Sequence, residues 1–350
     1  MTVHLPWEHE QLVVRRGRRS GIPTMVAIHS TVLGPAVGGC RMKAYPDLAE
    51  AERDVLRLSA AMTAKFAAAG LSAGGGKSVI ALEPGQRLAA DQRRAVLLDH
   101  ADLVASLGGA YLAGPDVGTG PDDMLVLRET GPHAVCLPES AGGIGSSSGP
   151  TAQGVLAALH SASAAVFGSP DMAGRRIVLS GHGSVGGLLA QALATAGAEV
   201  LVSDVDPATR EVAQRLGYGW VEPEDATGTE ADIFVPAAVG GIFDADTEVG
   251  ARLVVGPANN QLVDDDAAEA LAARGVVWVP DYVASAGGVV YALAREIDGV
   301  DHASATARVE AIGDVVSGLL SEAFAYGTTP HREAGERVRR RLNAPRRVAV

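Results

Sequence analysis

Lys65, Lys77 and Asp116 are the residues of this chain whose types and settings best suit acid–base chemistry. Arginine supplies nearly all of the positive charge: Lys43, Lys65 and Lys77 are the only lysines among 29 basic residues. A guanidinium stays protonated near neutral pH, whereas an ammonium sheds its proton once it is desolvated or set beside another cation. Lys77 follows Gly74-Gly75-Gly76, which remove every side chain that would hold a ligand off the backbone, and precedes the apolar run Val79–Leu82. Gly-Lys-Ser also ends the phosphate-binding loop, but that motif needs glycine at position 71, which is leucine, and no helix pattern opens at Ser78. Lys77 is therefore read as a candidate general base. Asp116 sits in Gly114-Pro115-Asp116-Val117-Gly118-Thr119, past the expected strand Tyr111–Ala113, as a candidate proton relay; turn capping is its ordinary alternative.

These groups need elements to hold them. The composition from Asp47 to Ala69, closed by Gly70, predicts a helix. Leu48, Ala51, Val55, Leu58 and Met62 step by three and four along it, and the next steps reach Lys65 and Ala69. An ammonium on that face either snorkels from the last turn or receives an anion such as a substrate carboxylate. Upstream, Gln11–Val14 and Met25–His29 read as strands, and Gly34–Met42 as a glycine-bearing loop. There Gly38 and Gly39 would let a backbone amide approach a ligand, although a plain turn fits equally well. A second helix is expected over Asp91–Leu107.

The Gly- and Ser-rich stretch from Glu139 to Pro150 reads as a hinge, dividing a first domain over 1–138 from a second over 139–350. After a helix over Thr151–Phe167, Arg176–Ser180 reads as a buried strand. It runs into Gly181-His182-Gly183-Ser184-Val185-Gly186, a helix to about Ala196, and a strand Glu199–Ser203 that ends at Asp204. This is the dinucleotide fingerprint in its full context of strand, glycine turn, helix, strand and acid. Gly181 makes the turn, Gly183 admits the pyrophosphate and Gly186 lets helix meet strand, while Asp204 suits the ribose hydroxyls. No arginine follows within five residues of Asp204, which favours NAD over NADP. Further strands over 232–237, 252–255 and 276–279 end in polar loops, among them Ala258-Asn259-Asn260 and Pro280-Asp281-Tyr282; helices are expected over 286–295 and 302–326. The fold class is thus α/β: an N-terminal α/β domain followed by a doubly wound parallel sheet, with the active site in the cleft between them.

Composition narrows the partners. A net charge of −12 argues against nucleic acid or an anionic membrane, although Arg337, Arg339, Arg340, Arg341, Arg346 and Arg347 form a basic tail, read as a solvated end or a subunit contact. Cys40 and Cys136 are too few for a disulfide framework and lack metal spacing, so no metal is expected and a reducing cytoplasm fits. Neither a signal core nor a membrane span is evident.

Taken together, Gly34-Pro35 to Met42, Met62-Thr63-Ala64-Lys65, Gly74–Lys77, Gly114–Thr119, the fingerprint, Ala258-Asn259-Asn260 and Pro280-Asp281-Tyr282 resemble the amino-acid dehydrogenases of the leucine, valine and phenylalanine type. The resemblance runs over most of the chain. It implies reversible NAD-dependent oxidative deamination of an L-amino acid to a 2-oxo acid, ammonia and NADH, in a homo-oligomer assembled through the first domain. It implies that Lys65 holds the substrate carboxylate, Lys77 activates water and Asp116 relays protons to and from the amine. It further implies that Thr151 and Asn259 position the nicotinamide. Val205, Ala237 and Ala258 join His182, Ser184 and Val185 as cofactor contacts, and Val37, Gly114, Val289 and Ala292 line the side-chain pocket. Gly114-Pro115 is closer to the phenylalanine type, so a hydrophobic substrate is expected, aromatic ahead of branched aliphatic. Ser285 stands where this family usually carries asparagine, Cys40 replaces a usual threonine and His182 a usual apolar residue. Two other readings compete: an NAD-dependent oxidoreductase of 2-hydroxy acids, which would want a histidine–carboxylate base, and an NAD-sensing module without turnover.

Overall fold

A computed structural model describes residues 8–344. They form two compact units: one runs to Ser146 and takes in Arg295–Asp298 and the chain from Arg340 onward, the other comprises Ser147–Ala294 and Gly299–Arg339. The first unit ends later than the expected limit at 138, and two short segments return to it. Arg346 and Arg347 of the basic tail lie outside the described residues.

The first unit comprises β1 (Gln11–Arg16), β2 (Pro23–Ser30), β3 (Ala36–Ala44), α1 (Leu48–Ala68), β4 (Gly74–Leu82), α2 (Ala90–Ala105), β5 (Tyr111–Pro115) and α3 (Pro121–Arg128). Its sheet runs β1-β2-β4-β3-β5, with β1, β2 and β4 successively antiparallel and β4, β3 and β5 parallel. The stretch read as a loop over Gly34–Met42 is therefore mostly strand β3. Its glycines depress strand propensity, but pairing on both edges and burial outweigh that local cost.

Helix α1 starts as composition requires: Asp47 is the N-cap and its side chain accepts from the Glu50 amide. Its buried stripe differs from the expected one, because Leu48 is exposed and Ser59 and Thr63 are buried alongside Ala51, Val55, Leu58 and Lys65. At its C-terminal end Arg341 donates through Nη2 to the carbonyls of Gly70 (2.6 Å) and Leu71 (2.8 Å). A basic residue read as tail thus closes the helix that carries Lys65.

Beneath β4, on the side away from α1, lies a buried polar chain. His100 meets Ser78 Oγ through Nε2 at 2.9 Å and Thr24 Oγ1 through Nδ1. Tyr111 Oη reaches Ser78 Oγ at 3.2 Å and donates to the Gly38 carbonyl at 2.7 Å. Burial pushes the His100 imidazole down from 6.5 to about 4. Above 6.5 both folded and unfolded states hold it neutral, and its contribution to stability is complete. As pH falls from 6.5 toward 4 only the unfolded state takes the proton, so stability drops by something on the order of 3 kcal/mol. A His100→Gln variant, which cannot titrate, should show a shallower fall in Tm across that window; identical slopes in the two proteins would contradict this.

The second unit holds α4 (Ser148–Phe167), β6 (Arg176–Ser180), α5 (Ser184–Thr195), β7 (Glu199–Ser203), α6 (Pro207–Arg215), β8 (Gly219–Trp220), β9 (Ala231–Pro236), β10 (Ala251–Val254), α7 (Asp265–Ala273) and β11 (Val277–Trp278). Then follow α8 (Asp281–Ala284), α9 (Gly287–Ala292), α10 (His302–Glu310), α11 (Ile312–Tyr326) and α12 (Pro330–Leu342). The helix expected over 302–326 is broken at Ala311, which ends α10 and caps α11. All six strands are parallel, in the order β11-β10-β9-β6-β7-β8. The order reverses between β6 and β9, the switch point at which doubly wound sheets take their ligands. Among the described residues no helix is long and apolar enough to cross a membrane, and no cluster of His, Cys, Asp and Glu could hold a metal ion.

Candidate active site

Strand β4 is buried on both faces, and its alternation sorts its side chains. Val79 and Ala81 pack against Ala51 and Val55 of α1, so Gly75 and Lys77 share that face; Ser78 and Ile80 face the other layer. Lys77 is thereby held in the layer between β4 and α1. Its Nζ donates to Asp116 Oδ2 at 2.8 Å. Asp116 follows β5, and its loop is fastened to β3, since Thr119 Oγ1 accepts from the Asp116 amide (3.0 Å) and donates to the Cys40 carbonyl (2.7 Å).

The same Asp116 oxygen also accepts from Arg41 Nε at 2.7 Å. Arg41 in turn donates through Nη1 to Asp54 Oδ2 (2.9 Å), which accepts from Tyr45 Oη as well (2.7 Å). Oδ2 of Asp116 is thus shared by two cations, while Oδ1 has no protein donor among the described residues. Burial pushes Lys77 below the usual lysine range, and the nearby Arg41 charge pushes it the same way against the pull of Asp116. For Asp116 burial alone would raise the carboxyl, but Lys77 and Arg41 outweigh it and keep it below the ordinary value. The arrangement is a poised amine beside a committed carboxylate. The second cation in contact with the pair is Arg41, a residue that the spacing of the sequence did not single out.

The glycines mark close approach. The β3–β4 ladder skips Gly38 and Gly39, opposite Gly76 and Lys77. A methyl on Gly39 would stand 2.7 Å from Asp116 Cβ and 3.1 Å from Lys77 Nζ, and one on Gly38 would overlap the Gly76 carbonyl at 1.8 Å. Gly76 leaves room for the Tyr111 ring, 2.7 Å from where its methyl would be, and this lets the phenol reach the Gly38 carbonyl. Val37 is buried, whereas Gly114 is looser: a methyl there meets only Val135 Cγ2, at 3.6 Å. Lys65 is buried on α1, while Lys43, toward the far end of β3, is exposed over the Tyr45 ring.

In the second unit the fingerprint closes as a cradle at the switch point. Gly181 has φ +106° and lies against Ala237 and Ala238 beyond β9, where a side chain would collide. A methyl on Gly186 would lie 1.9 Å from the Gly181 carbonyl, so α5 can pack on the turn only with glycine there. Gly183 faces open space as the N-cap of α5, and no side chain caps the helix, so its first-turn amides are left for an anion. Ser184 is exposed and Val185 half-buried in that turn. Asp204 directly follows β7; its Oδ2 accepts from the His182 amide (2.7 Å) and its Oδ1 from the Asp206 amide (2.9 Å). It first pins the turn, with lone pairs to spare for ribose hydroxyls. Arg210, the nearest downstream arginine, pairs with Glu222 at 2.8 Å and lies over the Trp220 ring. These residues fit NAD.

Other expected contacts lie on the loops after β7, β9 and β10 and on helices α4 and α9. Val205 is exposed beside Asp204, and Ala258 follows β10 with its amide on the Pro236 carbonyl at 3.0 Å. The Asn259 carbonyl lies 2.3 Å from where a methyl on Gly240 would be, so the loops after β9 and β10 abut. Thr151 on α4 meets α9, its Oγ1 2.6 Å from where a methyl on Gly288 would be. Val289 and Ala292 are carried on α9. The Ser285 hydroxyl, where an amide was expected, is buried without a hydrogen-bond partner.

Comparison with known proteins agrees with this geometry. Residues 2–133 match the Glu/Leu/Phe/Val dehydrogenase dimerisation domain, and residues 208–297 match the Glutamate/Leucine/Phenylalanine/Valine dehydrogenase domain. Residues 157–245 match the NAD-binding domain of S-adenosyl-L-homocysteine hydrolase. The chain is 36% identical over 346 residues to a phenylalanine dehydrogenase of Bacillus thermotolerans, covering 96% of this chain and 89% of the relative. It is 38% identical over 348 residues to a valine dehydrogenase of Streptomyces virginiae, covering 97% and 95%. The crystal structure of L-tryptophan dehydrogenase from Nostoc punctiforme superposes with a TM-score of 0.77 at 32% identity, covering 96% of each chain. With its paired amine and carboxylate in one unit and its dinucleotide turn in the other, the chain belongs to the Glu/Leu/Phe/Val dehydrogenase family.

Proposed function

We propose that the protein catalyses NAD-dependent, reversible oxidative deamination of a hydrophobic L-amino acid to its 2-oxo acid and ammonia. The observation that carries this is the Lys77–Asp116 pair, whose burial beside Arg41 leaves an amine able to take a proton and a carboxylate able to pass one. The nicotinamide, when bound, accepts the hydride from the substrate Cα. Lys65, buried on α1, receives the substrate carboxylate. Asp116, through the oxygen that neither Lys77 nor Arg41 occupies, takes a proton from the substrate ammonium before oxidation and returns one to the leaving amine. Lys77 takes a proton from the water that attacks the iminium carbon. Gly38 and Gly39 allow the substrate to approach the backbone beside that amine. Gly181, Gly183, Gly186 and the first turn of α5 hold the pyrophosphate, Asp204 the ribose, and Thr151 and Asn259 the nicotinamide.

Relatives named for phenylalanine and valine match at similar identity, which supports a hydrophobic side chain and leaves its shape to Val37 and Gly114. The room beside Gly114 favours an aromatic ring over a branched aliphatic group. A homo-oligomer is proposed on the dimerisation-domain match. The test is to follow NADH absorbance with a panel of L-amino acids, with 2-hydroxy acids as controls. Turnover is expected with hydrophobic amino acids, phenylalanine first. Turnover of hydroxy acids alone, or cofactor binding without any product, would overturn the assignment.

A further inference from the structure

We propose that Arg41 is the positioning residue that makes Lys77 a base: anchored by Asp54, its guanidinium grips the very carboxylate oxygen that Lys77 uses and sets a permanent positive charge beside the amine. The inference rests on the reading of Lys77 as base and adds what makes it one.

Arg41 projects from β3 toward α1 and bridges two carboxylates of different elements, Asp116 after β5 and Asp54 on α1. Its Nε–Oδ2 distance of 2.7 Å matches the 2.8 Å of Lys77 Nζ to the same atom, so the two cations meet at one oxygen. Lysine alone on Asp116 would form an ordinary buried ion pair, in which the anion holds the proton on the amine. A second cation on that oxygen divides the anion's field. A guanidinium cannot escape by losing its own proton, so the adaptable partner is the lysine. The charged and titratable groups around Lys77 are Arg41 and the buried Cys40 thiol on β3, Asp116 after β5, Asp54 on α1, and Tyr45, which is hydrogen-bonded to Asp54. Of these, Asp116 and Asp54 favour the protonated amine and Arg41 disfavours it. Tyr45 and Arg41 together hold Asp54 ionised, so Arg41 keeps its anchor.

Opposite signs test this. The pH profile of kcat/KM for amino-acid oxidation falls on its acid side where Lys77 becomes protonated in the free enzyme. Arg41→Gln removes the charge and should move that limb upward by about one pH unit. Arg41→Lys keeps the charge and should leave the limb near its original position. Asp54→Asn removes an anion that steadies the ammonium, and should move the limb downward. A mere loss of packing would lower rates without opposed shifts. The inference fails if Arg41→Gln leaves the limb in place, or if Arg41→Lys shifts it equally. If Arg41→Gln does not fold, Arg41→Met, which likewise lacks the charge but keeps an unbranched side chain, takes its place, and an unmoved limb in that variant counts against the proposal. Absence of amino-acid turnover in the unaltered enzyme would instead sink the reading of Lys77 itself, which separates the two failures.

Discussion

Lys77→Ala is expected to lower kcat for amino-acid oxidation by a factor on the order of 10² to 10⁴, the range a positioned general base supplies. The fold should survive. Removing one partner of a buried ion pair is costly when it strands the other, at about 3–5 kcal/mol. Here Asp116 keeps its 2.7 Å bond to Arg41, so the anion is not stranded and a smaller loss of stability follows. NAD affinity should be unchanged, because the dinucleotide turn belongs to the other unit and shares no residue with the pair. The acid limb of the pH profile should also vanish, and small primary amines added to the assay should restore part of the rate. Near-normal turnover in the variant would remove Lys77 from the mechanism.

Asp116→Asn should be as damaging and differ in kind. An amide accepts no proton at neutral pH, so the transfer to and from the substrate amine fails, and kcat should fall by about 10² to 10⁴. The substitution also removes the anion between two cations. Lys77 would then face Arg41 with only Asp54 left to offset the charge, and the amine should lose its proton more readily than in the unaltered enzyme. Residual activity should therefore persist to lower pH even as its maximum collapses. A pH–rate profile of purified Asp116→Asn distinguishes this from misfolding: an acid limb unmoved or displaced upward would contradict the shared-oxygen geometry.

The two halves of the protein were unequally readable. The dinucleotide unit was visible in the chain because its requirements are local. Gly181, Gly183 and Gly186 lie within six residues of one another, and Asp204 directly follows the next strand; the backbone itself demands those types at those places. Lys77 and Asp116 could also be singled out, by scarcity and by glycine context. Arg41 could not. It is one arginine among many, and its role exists only because β3 pairs with β4 on one side and β5 on the other, joining residues 41, 77 and 116. The His100–Ser78–Tyr111 chain was hidden for the same reason, since each member looks ordinary until the layers close. Strand β3 was misread because glycines argue for a loop in isolation, and only the parallel partners reveal them as clearance for Lys77 and Asp116.

The distribution of lysines has a practical outcome for handling the enzyme. With Lys65 and Lys77 buried, Lys43 is the one ε-amine that a resin carrying amine-reactive groups can grasp. It lies four residues along β3 from Gly39, about 13 Å at strand spacing. Immobilisation through that side chain would therefore hold Gly39 close to the resin, and a spacer arm long enough to clear this end of β3 would govern how much activity the bound enzyme retains.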